Sequence, residues 1–228
     1  GYVWKQVNGA GTYSEALKAN SGNWYAFKEK SQDVVQIGGT AYGSISEALK
    51  AAKDGDVIKL TAESLPVEES LIIDHDITID MNGCKLLGNF SSRGSNGIYV
   101  QSGKSLTFIG TGESDINIGV RLGGKLNLNG NAVFTGTIQN EGSLVLNENA
   151  VLANAVMVRK TGKVTVSHWL DAVEVKLDGG SFELPANVAV GKLTISENDQ
   201  LGISETVING SVDELELGQS GLGAKATL

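Results

Sequence analysis

The chain has 228 residues, 41% of them hydrophobic, with 30 Gly against 2 Pro and one Cys. That length and apolar content fit one or two folded domains and exclude a disordered polypeptide, while the lone Cys84 excludes an internal disulfide and a cysteine-cluster metal site. The net charge of −8 sets nucleic acid aside as a partner, since phosphate backbones want a cationic surface, and with no apolar run of roughly 18 residues no membrane insertion is expected.

Near the N-terminus, Thr12-x-x-Glu15 opens the octet TYSEALKA as a capping box, and the same form returns as Ser44-x-x-Glu47 before ALKAAK. Each predicts a short helix, the second ending at Asp54-Gly55 before a strand from Asp56 to Leu60. Residues 1–55 are therefore expected to form an N-terminal cap region, with Trp4, Trp24, Tyr25 and Phe27 in its core. The runs Leu71 to Ile73 and Ile77 to Ile79, followed by Asn82-Gly83, then begin a more regular pattern.

From there the chain repeats. Six segments share Gly, a small or basic residue, then apolar-x-apolar, and their first apolar residues are Leu106, Leu126, Leu144, Val164, Phe182 and Leu193. The steps between them are 20, 18, 20, 18 and 11 residues, and a short apolar-alternating run precedes each one. Each period is thus expected to hold two strands. Alternation puts pairs such as Leu106/Phe108 and Leu126/Leu128 on one inward face, with Thr107 and Asn127 outward.

One inward pair per coil is what a solenoid needs, and glycine at the corners lets the chain turn. A six-residue period is absent, which argues against a left-handed hexapeptide helix. Leucine-rich repeats lack their upstream leucine here, where Gly123, Glu141 and Val190 stand. The expected fold is all-β: a right-handed parallel β-helix over residues 56–217, with coils of 18 to 20 residues and an N-terminal helical cap. Asn131, Asn149 and Asn198 are then corner residues. Residues 218–228, rich in Gly and small side chains, are expected to be a linker or frayed tail, with further domains of a longer parent chain beyond.

The stretch AYGSISEALKAAKDGDVIKL, followed by IIDHDITIDMNGCKLLG, resembles the start of pectin-lyase-like parallel β-helix domains of bacterial secreted and cell-surface proteins. The elements that carry it are Asp54-Gly55-Asp56 and Ile77 to Gly83, and the likeness covers roughly residues 34 to 217. It implies a secreted or surface location, on a fold that hosts lyases, hydrolases, adhesins and passive stalks alike.

In such enzymes the resemblance implies acidic calcium clusters beside a base, or paired carboxylates near Arg or Lys. The material here is sparse: arginine at 93, 121 and 159, and histidine at 75 and 168. The best acidic cluster, Asp74-His75-Asp76 with Asp80, reads as a turn or solvated face, and the hydrolase signatures are absent. No catalytic residue, metal or cofactor is therefore assigned. Two features point to ligand binding. His168-Trp169-Leu170-Asp171 interrupts the coil, where Trp169 either stacks on a sugar or folds over a strand edge. Gln101, Arg121, Gln139, Arg159 and Lys176 follow successive inward residues and form one outward column, either a glycan-binding stripe or a polar sheet cover. The expected function is a non-catalytic module for adhesion, binding of a polysaccharide or host glycan, or spacing. The alternative is a polysaccharide lyase or glycoside hydrolase with its site near Arg121, Arg159 and Lys176.

Overall fold

A computed structural model describes residues 2–6, 16–18, 24–28, 33–88, 97–110, 114–130, 133–147, 151–152, 156–159, 162–166, 174–178, 181–186, 189–196, 205–217 and 225–227. The chain forms two compact units, 1–32 and 33–228, so the region expected to be one cap divides at residue 32.

In the first unit β1 (Tyr2–Gln6), β2 (Ala16–Lys18) and β3 (Trp24–Lys28) form an antiparallel sheet in the order β1-β3-β2. The helix expected after Thr12 is corrected: Ala16–Lys18 is a strand paired with Phe27, Ala26 and Tyr25. The aromatic-rich strand Trp24–Lys28 offers these residues a pairing edge, which takes up the backbone bonds that a helix would make within itself. Trp4 lies opposite Ala26 and Trp24 opposite Gln6, so these aromatics belong to this sheet.

The second unit opens with the antiparallel hairpin β4 (Val35–Ile37) and β5 (Thr40–Tyr42), then helix α1 (Ile45–Ala51). The Ser44 hydroxyl accepts from the Glu47 N–H at 3.1 Å, and the Glu47 carboxylate accepts from the Gly43 N–H at 3.1 Å, one residue outside the expected box. Ile45 and Ala48 are its buried face. The helix stops at Ala51, before the expected Asp54-Gly55, because Ala52 is already extended; Asp54-Gly55 is the turn into the next strand.

The chain then winds through five three-sided turns. The first is β6 (Val57–Leu60), β7 (Ser64–Val67) and β8 (Leu71–Ile73), and the second β9 (Ile77–Asp80), β10 (Lys85–Gly88) and β11 (Gly97–Val100). The third is β12 (Ser105–Gly110), β13 (Asp115–Asn117) and β14 (Gly119–Leu122). The fourth is β15 (Lys125–Gly130), β16 (Val133–Phe134) and β17 (Ile138–Asn140), and the fifth β18 (Ser143–Leu146), β19 (Val151–Leu152) and β20 (Val156–Arg159). Beyond these come β21 (Lys163–Val166), β22 (Glu174–Asp178), β23 (Ser181–Leu184), β24 (Ala189–Ser196), β25 (Glu205–Ile208), β26 (Ser211–Leu217) and β27 (Lys225–Thr227).

From β6 on, strands pair in parallel with their counterparts one turn away, giving a β-solenoid that has, among the described residues, a long sheet of 11 strands with the antiparallel β4 and β5 at its edge, a middle sheet of 8 and a short sheet of 5. The fold class is thus all-β and solenoidal, with three strands per turn where two were expected. The expected inward faces hold: Leu106, Phe108, Leu126, Leu128, Leu144, Leu146, Phe182 and Leu184 are all buried. Leu193 is a correction. It lies on the middle sheet opposite Val175, and the long-sheet partner of Phe182 is Thr206. Within the last eleven residues, Lys225–Thr227 pairs in parallel with β25.

Candidate functional site

Between its inward residues the middle sheet carries two further columns of residues in register. In register across β8, β11, β14 and β17, one column runs Ile72, Tyr99, Arg121 and Gln139, and pairing carries it on to Met157 and Lys176. Beside it stand Gly97 and Gly119, then Thr137. Long polar and aromatic side chains therefore border a lane of small ones. An extra carbon on Gly97 would stand 2.9 Å from the Gly119 carbonyl oxygen, so close packing of the two rungs keeps that lane bare.

The Arg121 guanidinium carbon lies 5.7 Å from the centre of the Tyr99 ring, a cation–π arrangement that orients both side chains. Arg121 is exposed, while Tyr99 and Gln139 are half-buried. A depression of about 280 Å³ is lined by Arg121, Leu122, Gly123, Gln139 and Glu141. A smaller one of about 80 Å³ lies on the Tyr99 side and shares Arg121 and Gln139. The arrangement offers a ring face, five guanidinium N–H donors and an amide that both donates and accepts, a set suited to hydroxyl-rich ligands.

The expected column is corrected by this register. Arg121, Gln139 and Lys176 share one line, but Gln101 and Arg159 stand two residues away from it. Gln101 sits in the turn before β12, where its carbonyl accepts from the Lys104 N–H at 3.1 Å. Arg159 stands opposite Asp178 in the backbone register of β20 and β22. The physical reason is that a slip of two residues keeps every side chain on its own face, so alternation alone does not detect it. Tyr99 was missed, although an aromatic at the outward position of the Ile98 to Val100 run was its signal. Trp169, Asn131, Asn149 and Asn198 lie outside the described residues. Two asparagine contacts that the repeats did not single out join neighbouring rungs. Asn147 donates to Asn129, and the fully buried Asn140 donates to the Lys163 carbonyl at 2.8 Å while accepting from the Gly142 N–H at 3.0 Å.

The acidic cluster is divided among separate local bonds. Asp74 meets the His75 ring at 2.8 Å, and Asp80 accepts from the Asn82 N–H at 3.0 Å. Asp76 accepts from both the N–H and the hydroxyl of Ser105, at 2.7 and 2.9 Å. Among the described residues no three His, Cys, Asp or Glu side chains gather as a metal ion would need. Cys84 is fully buried, and desolvation pushes its thiol up to about 11, which leaves it protonated and unreactive at neutral pH. No helix among the described residues is long and apolar enough to cross a membrane. Comparison with family models, curated proteins and solved structures gives no match, so the β-solenoid stands as the identification that the chain supports.

Proposed function

We propose that the chain is a non-catalytic, right-handed β-helix module of a bacterial secreted or cell-surface protein, similar to pectin-lyase-like domains, which holds a glycan-binding face on a stiff support. The observation that carries this reading is the outward column Tyr99–Arg121–Gln139 beside a lane of small residues. A sugar ring stacks on an aromatic face while its hydroxyls bond to guanidinium and amide groups, and a parallel sheet supplies such positions at about 4.8 Å intervals. Solenoid turns bury a continuous core, so the face stays rigid without any ligand.

A glycan array probed with the second unit in its full-chain context tests the reading. Binding to a defined set of oligosaccharides is expected, and Tyr99→Ala with Arg121→Ala is expected to weaken it by about tenfold or more. Absence of any glycan binding, or equal binding by that double variant, would count against it.

One observation favours a second reading as a carbohydrate-active enzyme: Glu141 lines the same depression as Arg121. Release of unsaturated or reducing sugars from a polysaccharide panel, abolished by Glu141→Gln, would establish that reading in place of the first.

A further inference from the structure

We propose that the corner between the middle and long sheets is a second binding site, selective for a linear anionic polysaccharide that carries one negative group per disaccharide. The first outward position of the long-sheet strands reads, in register, Ser105, Lys125, Ser143, Lys163 and Ser181. Lysine and serine therefore alternate rung by rung. Rungs are about 4.8 Å apart, so Lys125 and Lys163 stand about 9.6 Å apart along the solenoid, with the Ser143 hydroxyl between them.

These two ammonium groups are on open ground. Lys125 and Lys163 are exposed, and among the described residues neither is in an ion pair. The other charges along the corner already have partners: Lys104 lies 3.3 Å from Asp54, Asp76 is held by Ser105, and Glu141 also makes a contact. A broad depression of about 670 Å³ runs past Ser105, Lys125, Ser143 and Lys163. Its floor includes Gly124 and Gly142, where an added carbon would meet backbone carbonyl oxygens at 2.2 and 2.0 Å. No side chain fits there, so the channel between rungs stays clear.

Spacing selects the class of ligand. Along a duplex axis each strand carries one phosphate per about 3.4 Å, closer than one rung, and the chain's net charge of −8 opposes nucleic acid of any form. An extended acidic peptide presents same-side carboxylates about 6.6 Å apart, between one rung and two. A polysaccharide in which acidic and neutral sugars alternate matches both features, with its charges on the lysines and the hydroxyls of the neutral sugar on serine. This site shares only Gly123 and Glu141 with the Arg121 depression, so the two are separable by mutation.

Calorimetric titration of the full chain with hyaluronan oligosaccharides, which carry one carboxylate per disaccharide, tests the proposal. Polygalacturonate oligomers, charged on every sugar, and neutral dextran serve as comparisons. Hyaluronan is expected to bind tightest, with an affinity that falls as salt rises. Lys125→Gln with Lys163→Gln is expected to weaken it by about tenfold, whereas Lys85→Gln on the short sheet stays within about twofold. Three outcomes would overturn the proposal: no hyaluronan binding, equal or tighter binding of polygalacturonate, or unchanged affinity in the double lysine variant. Loss through Arg121→Ala alone would overturn it as well, and would move the ligand to the outer face of the middle sheet.

Discussion

Asp54 ties successive turns together at the start of the solenoid. Its carboxylate accepts the Asp76 backbone N–H at 2.7 Å and lies 3.3 Å from the Lys104 ammonium. Both favour the ionised form, and the backbone hydrogen bond first, with Lys104 second, holds its pKa below the usual 3.8. A carboxylate with a depressed folded-state pKa gives stability that is fully present above its unfolded value and is lost as pH falls through the folded value. Asp54→Asn is therefore expected to melt below the parent chain at neutral pH. That gap should narrow as acid takes the protein below 3.8 and through the folded pKa. Thermal melts across this range check it, and a gap that is constant down to full protonation would contradict it. Asp54 was legible in the sequence only as part of a turn. Its partners lie 22 and 50 residues away, and only the stacking of turns brings them together.

At the level of single elements, each strand is defined by what it can approach. The corner glycines of neighbouring rungs pack backbone on backbone, and the Gly142→Ala methyl would stand 2.0 Å from the Gly124 carbonyl oxygen. The backbone must shift to relieve that contact, so the substitution is expected to cost about 3 kcal/mol, the upper end of the overpacking range. Ser143→Ala, one residue on, is expected to change stability by about 0.5 kcal/mol or less. Denaturant unfolding of the two variants measures both, and equal stability would contradict the tight corner. The same elements mark how far the sequence could be read. Alternation identified the inward pairs of the long sheet because burial follows a period of two. It missed the short sheet, where Val133–Phe134 and Val151–Leu152 are too brief to alternate. It also set Arg159 in line with Gln139, because the second inward position of β17, opposite Val158, is the buried polar residue Asn140, which an apolar pattern passes over.

In the second unit as a whole, the N-terminal edges of the three sheets end in different ways. The long sheet ends in the antiparallel β4–β5 hairpin, and the edge strand of the middle sheet, β8, packs against α1. The short sheet ends at β7, whose Pro66 has no N–H to offer another strand. Each device discourages a further parallel strand from adding at that edge. What remains for function is the outer surface, whose side chains fall into lines because every turn repeats the register of the last. That register makes Arg121 and Arg159, which look equivalent in the repeat, different: one lies in line with Tyr99 and Gln139, the other opposite Asp178. Arg121→Ala and Arg159→Ala, measured side by side on one glycan array, test this most directly. The register predicts that Arg121→Ala lowers binding about tenfold while Arg159→Ala stays within about twofold of the parent chain. Equal losses, or a loss confined to Arg159→Ala, would contradict it.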